Sequence, residues 1–466
     1  MLTFAVNCTV PNAASHFVSS PDVRGTLDIL WSCLSTIFLC TWTVQHLSVP
    51  IQEHPRTTKQ KFRKALAAFA RRSSHMILCA VVPEFPVARA IHEWLLAKRA
   101  WKQFFEFAER DNVTWTKAHC FFANSGGFVL SFSESCEQLD SDPELKSSSQ
   151  LDFDANQART KLENFALDVK KSDSMYGFSG WRVLESNREI ASQAITQCIR
   201  HGRDLKEPFQ KELVPLQGNY WIMNSNQLFF CRKIGLIGTL PDIPEDIINE
   251  MGQSDAMIKL FTAAQVSWMI LQVIIRASRS LYISQLEIST VAFAVCTIIA
   301  YVFWLNKPQN PVLAIPVDCQ RKPTTTECIS FAELALWREN ELQVSILEHI
   351  NENPLLFWSL GSFGAVIFGS IHFFAWNFSF PTTIERDMWR ASSIIMTALP
   401  PLGTIFVRFL HFEGFPQDAV DIAGRGVSLL YGCARLLVCI EIFRSLIHLE
   451  PGVFMTTWTR NIPHIA

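Results

Sequence analysis

Arg435, Glu441 and Arg444 lie inside one apolar stretch, residues 424–447, of a 466-residue chain. A charged side chain at the centre of a bilayer costs at least ~2.5 kcal/mol on insertion scales, so such residues serve either a site or a structural pairing. Glu441 and Arg444 are three residues apart and can pair on one helix face. Arg435 can snorkel, or bond carbonyls freed by Pro400-Pro401 in the preceding stretch. The structural reading comes first and a catalytic one second.

His119 sits in Trp115 to Leu130 (WTKAHCFFANSGGFVL), a dense run of aromatic residues and glycine. It reads as a packed core histidine before a catalytic base. Gly126-Gly127 permits a tight turn or a close backbone approach. The run is neither the G-x-G-x-x-G of dinucleotide sites nor a Walker loop. Glu84 and His92 suggest a proton-relay pair, yet eight residues place them two helical turns apart and out of contact. His46, His372 and His411 are single histidines near membrane edges and read as interfacial. The chain has no H-E-x-x-H, no D-D-x-x-D and no G-x-S-x-G, which lowers the prior for an enzyme. No motif calls for a metal or a cofactor. The candidate site residues are therefore Arg435, Glu441, His119 and Glu84, and Asn7-Cys8-Thr9 is a glycosylation acceptor triplet.

The elements that must position these residues are membrane helices. Apolar stretches at 28–47, 258–275, 286–305, 355–376, 389–410 and 424–447 each have about the 20 residues that cross a bilayer core. Hydrophobic residues make up 49% and charged ones 18%, which leaves room for a polar region beside the spans. The 36 Phe and 14 Trp suit lipid-facing and interfacial positions. A net charge of −2 gives no basic field for nucleic acid. The 13 Cys have no C-x-x-C pair and no framework spacing, and several fall within apolar spans as small hydrophobes.

Before the first span the only basic residue is Arg24, whereas Arg56, Lys59, Lys61, Arg63, Lys64, Arg71 and Arg72 follow it. The positive-inside bias therefore predicts an extracytosolic N-terminus, with Asn7 on the glycosylated side. Without a positive n-region in residues 1–23, the first span is expected to act as a signal anchor. Met76 to Ala97 is apolar on average but carries Glu84, Arg89, His92, Glu93, Pro83 and Pro86. It is expected to be re-entrant or interfacial, or else a span with its charged face buried in the bundle; the charge distribution favours the non-spanning arrangement. Pro400-Pro401 predicts a kinked or broken helix. Gly361, Gly364 and Gly369 predict close helix approach rather than a ligand role. There is no internal repeat to support an inverted-repeat transporter.

The predicted organisation is an extracytosolic segment 1–27, a span at 28–47, and a basic loop with an amphipathic or re-entrant helix at 48–97. A polar cap occupies 98–256, with an acidic, Ser-rich loop at 131–154 read as disordered and helical spacing over Leu162 to Ile199. A transmembrane hairpin at 257–306, a linker at 307–353, three spans at 354–449 and an interfacial tail at 450–466 complete it.

Arg24 to Pro50 (RGTLDILWSCLSTIFLCTWTVQHLSVP) resembles a large family of filamentous-fungal integral membrane proteins of unknown function. The resemblance continues at Pro83-Glu84, at His119 with Gly126-Gly127-Phe128, and at Ser254-Asp255, Trp268, Arg276 and Leu286-Glu287. It closes with Tyr301 to Pro308, Arg435, Glu441 and Ile462-Pro463-His464. Ser125 stands where the family usually has Met, and Leu305-Asn306 departs from its commoner Trp-Trp-Lys-Pro. The resemblance implies a fungal source and a setting that includes secondary-metabolite gene clusters, and it carries no activity.

The expected fold is thus an all-α, multi-pass helical bundle of about six spans, or seven if 76–97 crosses, with a polar, mostly helical cap. It lies in an endomembrane or the plasma membrane, where the bilayer is its first partner and a lipophilic small molecule a second. The leading expectation is a protein that binds or organises partners. A membrane-bound enzyme of secondary-metabolite biosynthesis is the alternative, and a transporter comes third.

Overall fold

The computed structural model describes residues 24–50, 57–132, 193, 220–252, 256–334 and 354–457. Asn7, the acidic loop after 132, Leu162 to Ile199 and Ile462-Pro463-His464 lie outside the described residues, apart from the single position 193.

Among the described residues, six helices are long and apolar enough to cross a membrane: α1 (Thr26–Thr43), α7 (Ala256–Ser278), α8 (Gln285–Phe303), α10 (Pro354–His372), α11 (Thr383–Phe412) and α12 (Gln417–Ser445). The fold is the multi-pass helical bundle that the hydropathy predicts. Along α11 and α12, Leu402, Ile405, Phe409, Leu429, Leu436 and Phe443 point outward. An apolar outer surface is what lipid contact requires of a membrane bundle.

Between α1 and α7 come α2 (Thr58–Val81), α3 (Glu84–Asp111), α4 (Lys117–Asn124), β1 (Phe128–Ser131), β2 (Tyr220–Met223), α5 (Ser225–Lys233) and α6 (Glu245–Glu250). The chain bends by 107° between α2 and α3. Both arms leave that bend toward one face of the bundle. On the α2 arm, Arg71 donates to the Ser48 carbonyl just beyond α1 (3.0 Å). On the α3 arm, Glu93 meets Lys307 just beyond α8 (2.7 Å). Met76 to Ala97 is therefore a bent helix pair with both arms on one face. On the opposite face the Arg24 amide donates to the Phe454 carbonyl (2.9 Å).

The cap contains strands as well as helices. β1 pairs antiparallel with β2 and parallel with β3 (Ile315–Asp318), so the sheet order is β2-β1-β3. β3 and α9 (Thr325–Glu333) come from the stretch read as a linker, and they join the cap because Val317, Phe331 and Ala332 bury with Phe128, Leu130 and Trp221. Gly126, at φ +78°, makes the turn into β1. A Cβ on Gly127 would stand 2.5 Å from the Phe122 ring, so only glycine allows that packing.

Good local signals start the helices. Ser284 and Glu287 form a reciprocal capping box on α8, with the Ser284 amide on Glu287 Oε2 (2.8 Å) and the Glu287 amide on Ser284 Oγ (3.2 Å). Thr382 and Glu385 form another on α11 (both 3.3 Å). α11 continues as one helix through Pro400-Pro401, so of the kinked or broken helix expected the broken form does not occur. The Thr404 hydroxyl donates to the Pro400 carbonyl within that turn (2.8 Å).

Candidate functional site

The α2–α3 bend places polar chemistry deep in the bundle. α2 ends at Val81, Val82-Pro83 turns the chain, and α3 starts at Glu84 with Pro86 in its first turn, where a missing N–H is tolerated. A carboxyl at this first helical position is favoured by the positive end of the helix. Glu93, nine residues on, lies about 14 Å further along the axis at 1.5 Å per residue. Glu84 is thus well separated from the Glu93 network, toward the interior of the bundle.

Three spans surround Glu84. Gly364 of α10 sits against it so closely that a Cβ there would come 2.9 Å from Glu84 Cβ. Tyr431 of α12 donates its hydroxyl to Glu84 Oε1 (2.5 Å). Arg435, one turn further on, donates Nε to the Val81 carbonyl (2.6 Å), one of those left free where α2 ends. Its guanidinium lies 4.2 Å from the centre of the Phe368 ring, a cation–π contact. Arg435 thus bonds a carbonyl of the α2–α3 bend rather than those of Pro400-Pro401, because the helix that ends beside it is α2. Glu84 is 6% exposed and Arg435 7%. Each keeps one polar atom without a partner, Glu84 Oε2 and Arg435 Nη1.

The other candidates separate from this cluster. Arg444 pairs with Glu385 of α11, not with Glu441, because the last turn of α12 faces the first turn of α11. Glu441 is buried, and its Oε2 has no partner. His92 packs edge-on to Phe357 with ring centroids 6.1 Å apart, away from Glu84. His372 is fully buried rather than interfacial, held between Ser289 and the Phe368 carbonyl.

His119 lies in the cap and both its ring nitrogens are engaged. The Thr116 amide donates to Nδ1 (3.2 Å), which leaves the proton on Nε2 to donate to the Ile243 carbonyl (2.7 Å). Burial pushes its pKa below the ordinary 6.5, against the opposing pull of the Ile243 carbonyl and of Glu245 and Asp242. It closes the first turn of α4 and ties it to the loop before α6.

Two networks escaped the sequence reading. Arg24 forms a bidentate pair with Glu287 (2.7 and 3.1 Å), while Arg276 donates to the carbonyls of Tyr282 (3.0 Å), Val453 (2.9 Å) and Met455 (2.6 Å). On the opposite face, Glu93 accepts from Arg89 (2.9 Å), Trp304 (2.6 Å) and Lys307 (2.7 Å). The signal available in sequence was an acid or base at the edge of an apolar stretch, which says nothing about its partner. Among the described residues no cluster of His, Cys, Asp and Glu could hold a metal ion.

The model of a family of unknown function, DUF8562, matches residues 1–149 and 230–323, just over half of the chain. The chain belongs to that family. The matched stretches contain Arg24, Glu84, Glu93, His119, Arg276 and Glu287, and they leave out the three last spans with Tyr431, Arg435 and Glu441. No curated protein and no solved structure matches the chain.

Proposed function

We propose that this DUF8562 chain is a membrane-embedded binding protein that organises partners through a cap held rigidly on its bundle. The carrying observation is the buried junction around Glu93. There Lys307 joins α3 to the His46 carbonyl (3.1 Å), Gln309 donates to the Thr43 carbonyl (2.7 Å), and the Leu47 amide donates to Asn310 (2.9 Å). A platform that presents a surface needs such a fixed joint, since loosely tethered domains move relative to one another. The excess of Lys and Arg after α1 puts the cap in the cytosol and Asn7 on the other side. The resemblance to filamentous-fungal membrane proteins supplies the setting, a fungal endomembrane or plasma membrane.

A second reading has its own support. Glu84 Oε2 and Arg435 Nη1, buried and unpartnered, favour a membrane-bound enzyme acting on a lipophilic metabolite with a polar head. A transporter has no comparable observation behind it.

Comparative metabolite profiling of a fungal strain lacking the gene separates the readings, with a glycosidase mobility shift of the tagged protein as the control for orientation. An unchanged profile is expected. Loss of a defined compound with build-up of its precursor would overturn the organising role and move the function to the Glu84–Arg435 cluster. In that case Arg435→Ala would abolish the product at normal protein abundance, whereas a purely structural arginine would lower abundance.

A further inference from the structure

Helix α2 changes character along its length. Its C-terminal part packs on the bundle: Arg72 lies 4.5 Å from the centre of the Trp42 ring at the end of α1, and Cys79 is buried. Residues 57–70 are exposed throughout. Within them Phe62, Leu66 and Phe69 stand at i, i+4 and i+7 and so form one stripe. They are 68%, 54% and 61% exposed.

The remaining surface of that stretch is cationic. Lys59, Lys61, Arg63, Lys64, Arg71 and Arg72 fall between 58 and 72, and the whole helix, Thr58–Val81, has no Asp or Glu. At 100° per residue, Lys59 and Arg63 flank the stripe on one side and Lys61 on the other. A solvated charged face has no reason to line up two phenylalanines and a leucine. A second copy of α2 would bring like charges together with no acid between them.

One partner satisfies both the stripe and its cationic flanks: the boundary layer of a leaflet that carries anionic headgroups. The apolar side chains enter the acyl region, and the long Lys and Arg stems run beside them with their charges at the phosphates. The bilayer is already adjacent, because the same helix touches the end of span α1. We infer that residues 58–72 of α2 are an anionic-phospholipid-binding helix, docked in the headgroup layer beside the bundle. The site is independent of whether the bundle organises partners or catalyses.

The test uses the full chain reconstituted in nanodiscs of phosphatidylcholine, with or without about 30% phosphatidylserine. Amide hydrogen exchange over residues 58–72 is expected to slow by about tenfold or more when the anionic lipid is present, and the difference should vanish in about 1 M salt. Combined Lys59→Gln, Lys61→Gln, Arg63→Gln and Lys64→Gln substitutions should abolish the lipid dependence while exchange in α8 stays unchanged, which shows that the bundle is intact. Equal exchange in the two lipids would overturn the proposal. So would protection that follows protein concentration rather than lipid charge, which would make α2 a contact between copies.

Discussion

A buried histidine whose two ring nitrogens are both engaged, as in His119, makes folding depend on pH. Its pKa in the folded chain lies below the ordinary 6.5, so as pH falls the unfolded chain takes up the proton first. Stability from this residue is complete above about 6.5 and declines below it, by at most about 1.4 kcal/mol per pH unit, until the folded form also protonates. Thermal unfolding of His119→Gln should show a shallower loss between neutral and mildly acid pH than the unmodified chain. An unchanged slope would dissociate His119 from the acid sensitivity. In the bundle, Tyr431→Phe removes the hydroxyl that Glu84 Oε1 accepts from and is expected to cost about 1–2 kcal/mol. The readout is the midpoint of thermal unfolding in detergent. An unaltered midpoint would mean that water replaces the phenol without loss.

Helix contacts give sharper contrasts. Gly361, Gly364 and Gly369 share one span and read alike in sequence, yet they have different neighbours. A Cβ at Gly369 would stand 2.8 Å from the Thr397 amide nitrogen of α11, backbone that cannot step aside, whereas nothing lies within 4 Å of one at Gly361. Gly369→Ala is therefore expected to destabilise by about 1–3 kcal/mol through overpacking. Gly361→Ala should be neutral or slightly stabilising, since alanine is the better helix former. Parallel measurement of folded yield after detergent extraction checks the pair. Equal yields would show that α10 and α11 can separate freely at this depth. Small-residue spacing announced close approach, but which glycine is in contact depends on the rotation of α10 about its axis.

Across the molecule, ion networks at the two ends of the bundle fix which helices are neighbours. Arg24 lies far in sequence from Arg276 and Glu287, and the three converge with the still later Val453 and Met455 carbonyls on one face. Removing one member leaves its partners buried and unpaired, which typically costs about 3–5 kcal/mol. Glu287→Gln should therefore sharply lower accumulated protein, and Arg24→Gln should do the same. The double substitution should be less harmful than the sum of the two, because it removes the unpaired charge together with its partner. Immunoblotting of membrane fractions measures all three. Full additivity would show that Arg24 and Glu287 act separately. Residues that carried the family resemblance, Arg24, Arg276, Glu287 and Glu84, prove to be the ones that lock elements distant in sequence together.

Apolar length and charge are local quantities, so the sequence alone determined that six helices are long and apolar enough to cross a bilayer and roughly where they lie. α11 and α12 nonetheless begin at Thr383 and Gln417, a turn or two before the apolar stretches at 389 and 424. Partner choice is not local. Glu441 reads as the mate of Arg444, and Pro400-Pro401 as the source of free carbonyls for Arg435. Only the packing of α11 against α12, and the end of α2 beside α12, decided for Glu385 and Val81 instead. The same holds for the small sheet, whose third strand comes from a stretch that reads as a linker and becomes a strand only where β1 offers it an open edge.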